Sequence, residues 1–430
     1  MQLPRGTRAI VGVGVVAAVV RIAFAIDNAN ADPAVDSDVY RWIARNLADG
    51  AGYVLADSSG KLVPTAQHPP MLGGILAAFD VVGLTTELQQ RIALSLVAAI
   101  GVVLTGFVAR HVAGATAGVI AAAIAALHPL WFQHAGFGVS ESVYLVVIPL
   151  VLLLGVRAAD RPSWQRMAAL GAALGVAALT RSEGVLFLIV LVVPLVIVVC
   201  PTWKARGVAA LVAAAAMLLV ITPWVVRNYE EFDGFTLSTN RGVTLAGSWC
   251  PSGFGLSVGG RNIGGWDLYC VLKEFHDARK GRPPAGHDTW DELAIDNELT
   301  SRSLDFGWEH LEDVPGVVAA RVGRMLGVYK LDDQLDFDRN EGRDRNAQRT
   351  GQILHLFLLP FAILGVTRLA KRYLPVFLAG PVVAVLVAMA FYGSTRIRAP
   401  AEPTIAVLAA IGILTVQQWI VRSRAEPVAR

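Results

Sequence analysis

Asp36-Ser37-Asp38-Val39-Tyr40-Arg41-Trp42 follows, after a short polar stretch, an apolar run over 8–27. That run has roughly the 20 residues a helix needs to cross a bilayer. Two carboxylates separated by one residue, where membrane gives way to water, call for a physical reason. Similar runs recur at 91–110, 114–132, 140–157, 165–182, 184–200, 206–226, 353–369, 374–392 and 401–421. A shorter one, 69–84, begins at Pro69-Pro70 and is expected to lie half-buried at the surface rather than to span. The fold class expected is therefore an all-α polytopic membrane protein, a bundle of about ten transmembrane helices with juxtamembrane helices on one face. The division expected is a transmembrane module over 1–227 including the loop 28–68, a soluble segment over 228–352, and a second transmembrane module over 353–430.

Composition agrees. Of 430 residues, 54% are hydrophobic and 17% charged, too apolar for a soluble domain of this size. A net charge of +3 gives no case for nucleic acid. Three cysteines are too few for a disulfide framework. Cys200 reads as inert and buried, while Cys250 and Cys270 can pair if their segment lies outside the cell. Met1–Arg8 is basic and the run after it is long, so it reads as an uncleaved first span.

Lys and Arg in short loops set orientation. Arg5 and Arg8, then Arg157, Arg161 and Arg166, then Lys204 and Arg206, then Arg368, Lys371 and Arg372, then Arg422 and Arg424 all fall on one side when each run crosses once. Both termini are thus expected in the cytoplasm of a plasma-membrane protein. The loop 28–68, the turns at Glu141 and Arg181, the segment 228–352 and Arg396 to Glu402 are expected outside.

Asp36 to Asp49 reads as an amphipathic helix, with Val39, Trp42, Ile43 and Leu47 at three- and four-residue steps. Asp36 and Tyr40, four apart, share a face. Two readings stand for Asp36 and Asp38: capping of that helix, or a general base or divalent-metal ligand near an apolar wall that lifts its pKa. In the soluble segment, Asp288 reads as the cap of a helix through Trp290, Leu293 and Ala294. A second helix after Pro315 is expected to turn Arg321 and Arg324 away from its apolar side. Asp332 to Arg349, dense in both charges, reads as a solvated connection.

Several arginines are expected at the outer face. Arg181 in Thr180-Arg181-Ser182-Glu183-Gly184 either pairs with Glu183 or forms an anion site. Arg227 ends a span, where a snorkelling arginine is common. Arg241 follows the donor-rich Ser238-Thr239-Asn240. Arg396 and Arg398 precede Glu402 and break the positive-inside pattern. Planar guanidinium groups suit phosphate, and no glycine-rich loop sits in a strand-then-helix frame to bind a nucleotide. A lipid phosphate fits better.

These residues together resemble the GT-C glycosyltransferase superfamily, in the branch of protein O-mannosyltransferases and the lipid A aminoarabinose transferase. The likeness rests on Asp36 and Tyr40 in Asp-x-x-x-Tyr, His68-Pro69-Pro70, Ser140-Glu141 and Thr180 to Gly184. Pro223-Trp224 to Asn228 and Arg396-Ile397-Arg398 to Pro403 complete the order. The family often has Asp-Glu where this chain has Asp36-Ser37, and the aminoarabinose branch has Lys where His68 stands.

The resemblance implies a polyprenyl-phosphate sugar donor and an acceptor that is a protein, a lipid-linked glycan or a wall polymer. Asp36 would act as base, and Arg396, Arg398 and Arg227 would meet the leaving phosphate. Tyr40 and His68 would shape the cavity, unless His68 is a plain surface residue, and Glu141 would bind sugar or acceptor. Asp38, Asn240 and Glu402 are further cavity candidates. No cofactor is implied with certainty, and a divalent metal is possible. The competing functions are a lipid-linked glycan transporter or flippase, and a glycan polymerase or ligase that works without Asp36.

Overall fold

The computed structural model describes residues 5–30, 35–57, 59–257, 259–260, 262–278, 291–340 and 343–425. Among them, eight helices are long and apolar enough to cross a membrane. The longest, Glu87–Leu127, is broken at Gly114, whose φ of 89° suits a residue without a Cβ. The two arms fold back on each other there. A Cβ on Gly106 would lie 3.0 Å from the Ala122 Cβ, although a straight helix would hold residues so far apart in sequence about 24 Å from each other. Counting the arms separately, and adding the 17-residue helix Trp164–Thr180, gives ten crossing segments. Pro70–Val81 has 12 residues, too short to cross.

Close approach holds the bundle together. A Cβ on Gly365 would lie 2.0 Å from the Leu408 carbonyl, and one on Gly412 at 2.0 Å from that of Phe361. These reciprocal contacts bring Arg345–Val366 and Glu402–Ala425 together at backbone distance, as small residues do between membrane helices. Arg21, buried in the first helix Arg5–Asp27, donates to the Ala125 and Ala126 carbonyls at 3.0 and 3.2 Å. It thereby satisfies acceptors that the helix end at Leu127 leaves open.

The loop after the first helix forms Val35–Ala48 and a short antiparallel hairpin, Val54–Ala56 with Leu62–Pro64. The soluble segment holds Arg241–Ser248, Leu268–Ala278, Glu292–Glu309, Val314–Leu326 and Leu331–Asn340. Three expectations change here. Asp291, not Asp288, caps Glu292–Glu309 by accepting from the Ala294 N–H at 2.7 Å; Asp288 and Trp290 lie outside the described residues. Arg321 and Arg324 do not face water. They are buried, and they donate to the carbonyls of Met389, Ser248 and Ile263, so this helix is bolted to the membrane module through its charges. The charged run after Asp332 is helix on both sides of 341–342, with a buried Asp338–Arg343 pair at 3.0 Å. Most described charges of the run are exposed as expected, including Asp332, Asp333, Asp336 and Arg349, and only the Asp338–Arg343 pair turns inward.

Cys250 and Cys270 form a disulfide, and Cys200 is free and buried. The bond ties the loop after Arg241–Ser248 to Leu268–Ala278 across 20 residues. Closing a loop of that length is worth about 3 kcal/mol. Cys250→Ser with Cys270→Ser is expected to make the segment more protease-sensitive than the wild type under oxidising conditions and equal to it under reductant. Equal sensitivity in both conditions would remove the bond from the stability of this segment.

Candidate active site

The polar loops gather at one end of the bundle. Val35–Ala48 begins there, and Asp36 and Tyr40 lie one turn apart on its inner side. Pro69 caps Pro70–Val81 with an extended backbone, ψ 152°, and Pro70 opens the helix at a position where a missing N–H is tolerated. Tyr53 donates its hydroxyl to the His68 carbonyl at 3.0 Å, which fixes the backbone at His68. The His68 and Tyr40 rings stack with centroids 4.5 Å apart. Both are buried, so His68 is not a plain surface histidine.

Arg396 sits on the 3₁₀ turn Thr395–Arg398, with the Ser394 hydroxyl accepting from its backbone N–H at 3.2 Å. Its Nη2 donates to Asp36 Oδ2 at 2.6 Å, and its Nε meets Glu141. Glu141 has no exposure. It also accepts from Arg181 Nη1 at 2.6 Å, and Arg181 pairs onward with Glu183. Asp36, Arg396, Glu141, Arg181 and Glu183 thus alternate in sign. Glu141 holds two guanidinium groups side by side that would otherwise repel.

Asp36, Arg396, Arg181 and Glu183 border a cavity of about 440 Å³, within the usual range for a small-molecule site. Asp36, Tyr40, His68, Ser140, Arg181, Glu183, Arg396, Ser238, Asn240, Arg241 and Thr244 supply its polar side. Val185, Leu186, Val387, Phe391 and Ile397 make an apolar wall. Arg241 is anchored from behind by Asp296 at 3.1 Å and Asn297 at 2.9 Å, and stays half exposed. Glu292 draws the soluble segment over the site, accepting from the Ala66 N–H at 2.9 Å and from the Thr239 hydroxyl. Ser238 donates to the Gln67 carbonyl at 2.7 Å. Thr244 and the apolar wall were not singled out in sequence, whereas Ser238 was named there as a donor beside Arg241. Thr244, one helical turn from Asn240, carried the only usable signal.

Electrostatics differ from the sequence expectation in one respect. Burial pushes the Asp36 carboxyl up, but the Arg396 guanidinium and then the His68 ring pull it below the usual carboxylate value. The apolar wall does not win. Burial holds His68 below the ordinary imidazole value, with Asp36 opposing. Burial, then the Asp36 charge, raises the Tyr40 phenol.

Four candidates do not reach the cavity wall, and Glu141 lies behind it. Arg227 donates to the Thr65 and Tyr53 carbonyls, both at 2.8 Å, and packs over Trp224, Tyr53 and Phe232; it clasps the first loop to the span end. Asp38 faces Arg41 at 3.9 Å. Two residues apart on a helix, Asp36 and Asp38 point to nearly opposite sides and cannot share one metal. Arg398 is buried with its Nε on Glu402 at 2.6 Å and its Nη1 on Gln352 and the Met325 carbonyl. Two residues apart on a turn of three residues per revolution, Arg396 and Arg398 diverge, one to the cavity and one to the core. Among the described residues, the three-residue His/Asp/Glu group spaced for a metal is His128, His355 and Glu402, outside the cavity.

Residues 67–226 match the family described as dolichyl-phosphate-mannose-protein mannosyltransferase. No curated protein matches the chain in sequence. Among solved structures, it is similar to the archaeal oligosaccharyltransferase AglB from Archaeoglobus fulgidus, in complex with an inhibitory peptide and a dolichol-phosphate. The identity is 15%, over 97% of this chain and 51% of that one, with a TM-score of 0.54. The same enzyme in complex with Zn and sulfate gives 14% identity over 95% and 49%, with a TM-score of 0.54. ArnT from Cupriavidus metallidurans bound to undecaprenyl phosphate gives 18% over 94% and 77%, with a TM-score of 0.43. The chain spans about half the length of AglB, and at these identities the likeness to AglB is one of fold. The likeness of fold thus runs through nearly the whole chain, and the mannosyltransferase family model matches residues 67–226 of it.

Proposed function

We propose that the protein transfers a sugar from a polyprenyl-phosphate donor to an acceptor hydroxyl or amine on the extracytoplasmic side. The observation that carries this reading is the 2.6 Å contact of Asp36 with Arg396 at the mouth of a cavity also bordered by Arg181 and Arg241. A carboxylate base and a bank of guanidinium groups are the two things such a transfer needs.

At rest, Asp36 is engaged by Arg396. A donor phosphate arriving at Arg396 and Arg181 competes for the same N–H groups and frees the carboxylate. Asp36 then takes the proton from the acceptor as its oxygen or nitrogen attacks the anomeric carbon. The bond from that carbon to the phosphate oxygen breaks, and the phosphate leaves with its added negative charge. Guanidinium groups aimed at that charge stabilise the transition state more than the ground state. Glu141 fixes the spacing of the two arginines and takes no proton. The wall of Val387, Phe391 and Leu186 suits the first units of a prenyl chain.

The opposite end of the bundle supports the side proposed for the site. Helix Glu141–Asp160 starts at the cavity and ends at Asp160, which joins His111, Arg372 and Tyr373. Arg157, Arg161 and Arg166 lie at that end, as cytoplasmic loops would have it. The Cys250–Cys270 bond near the cavity suits an oxidising compartment.

Asp36→Asn is expected to fold, since Arg396 keeps Glu141, and to lower transfer of label from a polyprenyl-phosphate sugar by at least about 10²-fold. Full transfer by this variant would end the role of Asp36 as base. Arg396→Ala is expected to lose transfer and weaken donor use with little change in melting temperature. Arg398→Ala is expected to lose about 3 kcal/mol of stability, because Glu402 and the Gln352 carbonyl lose their donor in the core. The reverse pattern would reassign the two arginines.

Below its ordinary value, Asp36 stays ionised at neutral pH; His68 stays neutral above 6.5, and Tyr40 stays protonated to beyond 10.0. None of the three changes charge between those limits. Transfer is therefore expected to show no limb from Asp36, His68 or Tyr40 in that window. A limb between 6.5 and 10.0 that disappears in His68→Gln would contradict the assignment.

A further inference from the structure

His128, His355 and Glu402 arrive from three separate parts of the chain. His128 sits in the joint between Glu87–Leu127 and Pro129–Gly136. His355 lies inside Arg345–Val366, and Glu402 opens Glu402–Ala425. Their exposures are 2%, 1% and 5%. One ligand atom from each lies within 4.8 Å of the others. His128 Nε2 is 3.9 Å and His355 Nδ1 3.5 Å from the Glu402 carboxylate oxygens.

Among the described residues neither ring nitrogen of His128 has a hydrogen-bond partner, and His355 has only its long Nδ1 contact with Glu402 at 3.5 Å. A buried imidazole ordinarily has both its donor and its acceptor satisfied. Two such rings turned on one carboxylate do not make a hydrogen-bonded core. The simpler account is that Glu402 exists to neutralise Arg398, its partner at 2.6 Å. That explains the carboxylate and the guanidinium. It leaves the histidines without a reason, because an ion pair is better surrounded by groups that bond it or by plain hydrocarbon.

We propose that His128, His355 and Glu402 bind a zinc ion that pins three membrane helices together, away from Asp36 and its cavity. Two imidazoles and one carboxylate are a zinc-type donor set. Arg398 fits as the group that orients the carboxylate from behind, its Nη1 donating to Gln352 and the Met325 carbonyl. Its positive charge beside the ion weakens binding, so the metal is expected to leave readily to a chelator. The ion would hold the segment from Arg398 to Glu402, and through it the turn that carries Arg396. This role is structural and does not depend on which reaction the cavity performs.

The test uses the full chain in detergent with its affinity tag removed, stripped by chelator and then given Zn²⁺ or Co²⁺ alone. One equivalent of Zn²⁺ is expected to bind and to raise the melting temperature. Co²⁺ is expected to give ligand-field bands, and X-ray absorption to detect two imidazoles. His355→Gln is expected to lower metal content by about tenfold or more, whereas Asp36→Asn leaves it unchanged. Absence of stoichiometric metal in the wild type, or an absorption spectrum without imidazole, overturns the site even if the variants fail to fold. Loss of the metal in Asp36→Asn with retention in His355→Gln would move it to the cavity and overturn it equally. Absence of sugar transfer by the metal-loaded wild type would count against the proposed function and leave this site standing.

Discussion

Everything at the cavity depends on one buried carboxylate. Glu141 has no contact with solvent, yet it carries the charge that lets Arg181 and Arg396 stand together. Two guanidinium groups brought side by side in a low-dielectric setting repel strongly. Between them, a carboxylate turns that repulsion into two attractions, and the desolvation of each ion is offset by geometry and hydrogen bonds. The position of Glu141 at the start of a span explains why this is feasible. The first N–H groups of a helix have no partners within the helix, and the local field favours negative charge.

The same logic fixes the elements around the cavity. Glu292 and Asp296, one turn apart on a soluble helix, reach down to the Ala66 N–H and across to the Gly242 N–H. The first couples the segment to the loop bearing His68, and the second to the helix bearing Arg241. Arg227 performs the matching task from the membrane side, with its charge spread over three aromatic rings and two carbonyls. Charged residues at this end of the bundle therefore divide into those that meet the cavity and those that brace its walls, and the second group is no smaller.

Sequence patterning made the bundle legible because a bilayer imposes length and hydropathy on each crossing segment. It even separated 91–110 from 114–132, which a helix running to Leu127 would have hidden, since the break is a single glycine. Asp36, Tyr40, His68, Arg181, Arg241, Asn240 and Arg396 were named from sequence and do border one cavity. Arg227, Arg398 and Glu402 were named on the same grounds and do not. Charge at a span end reads alike whether it faces a ligand or a carbonyl, because the sequence records the cost of the charge and not the partner that offsets it. For the same reason the burial of Arg321, Arg324 and Asp338 was illegible. Their partners lie far along the chain, and most are backbone carbonyls that no residue type announces.

Arg396 and Arg398 show how a small local choice decides the chemistry. Continued as an α-helix, the stretch from Thr395 would set them 200° apart; as a strand, it would turn them to opposite faces as well. What distinguishes the 3₁₀ turn is its tightness. Arg396 and Glu402 stay close enough along the chain to belong to one rigid corner, held by Ser394 at its start and by Arg398 on Glu402 at its end. The cavity arginine is thus anchored through its neighbour in the core. A binding group that must meet a phosphate without paying rotamer entropy at each turnover is best mounted on a corner whose other side chain is already locked. The corner Thr395–Glu402 has that form, which is why a second arginine that never meets the cavity still belongs to its architecture.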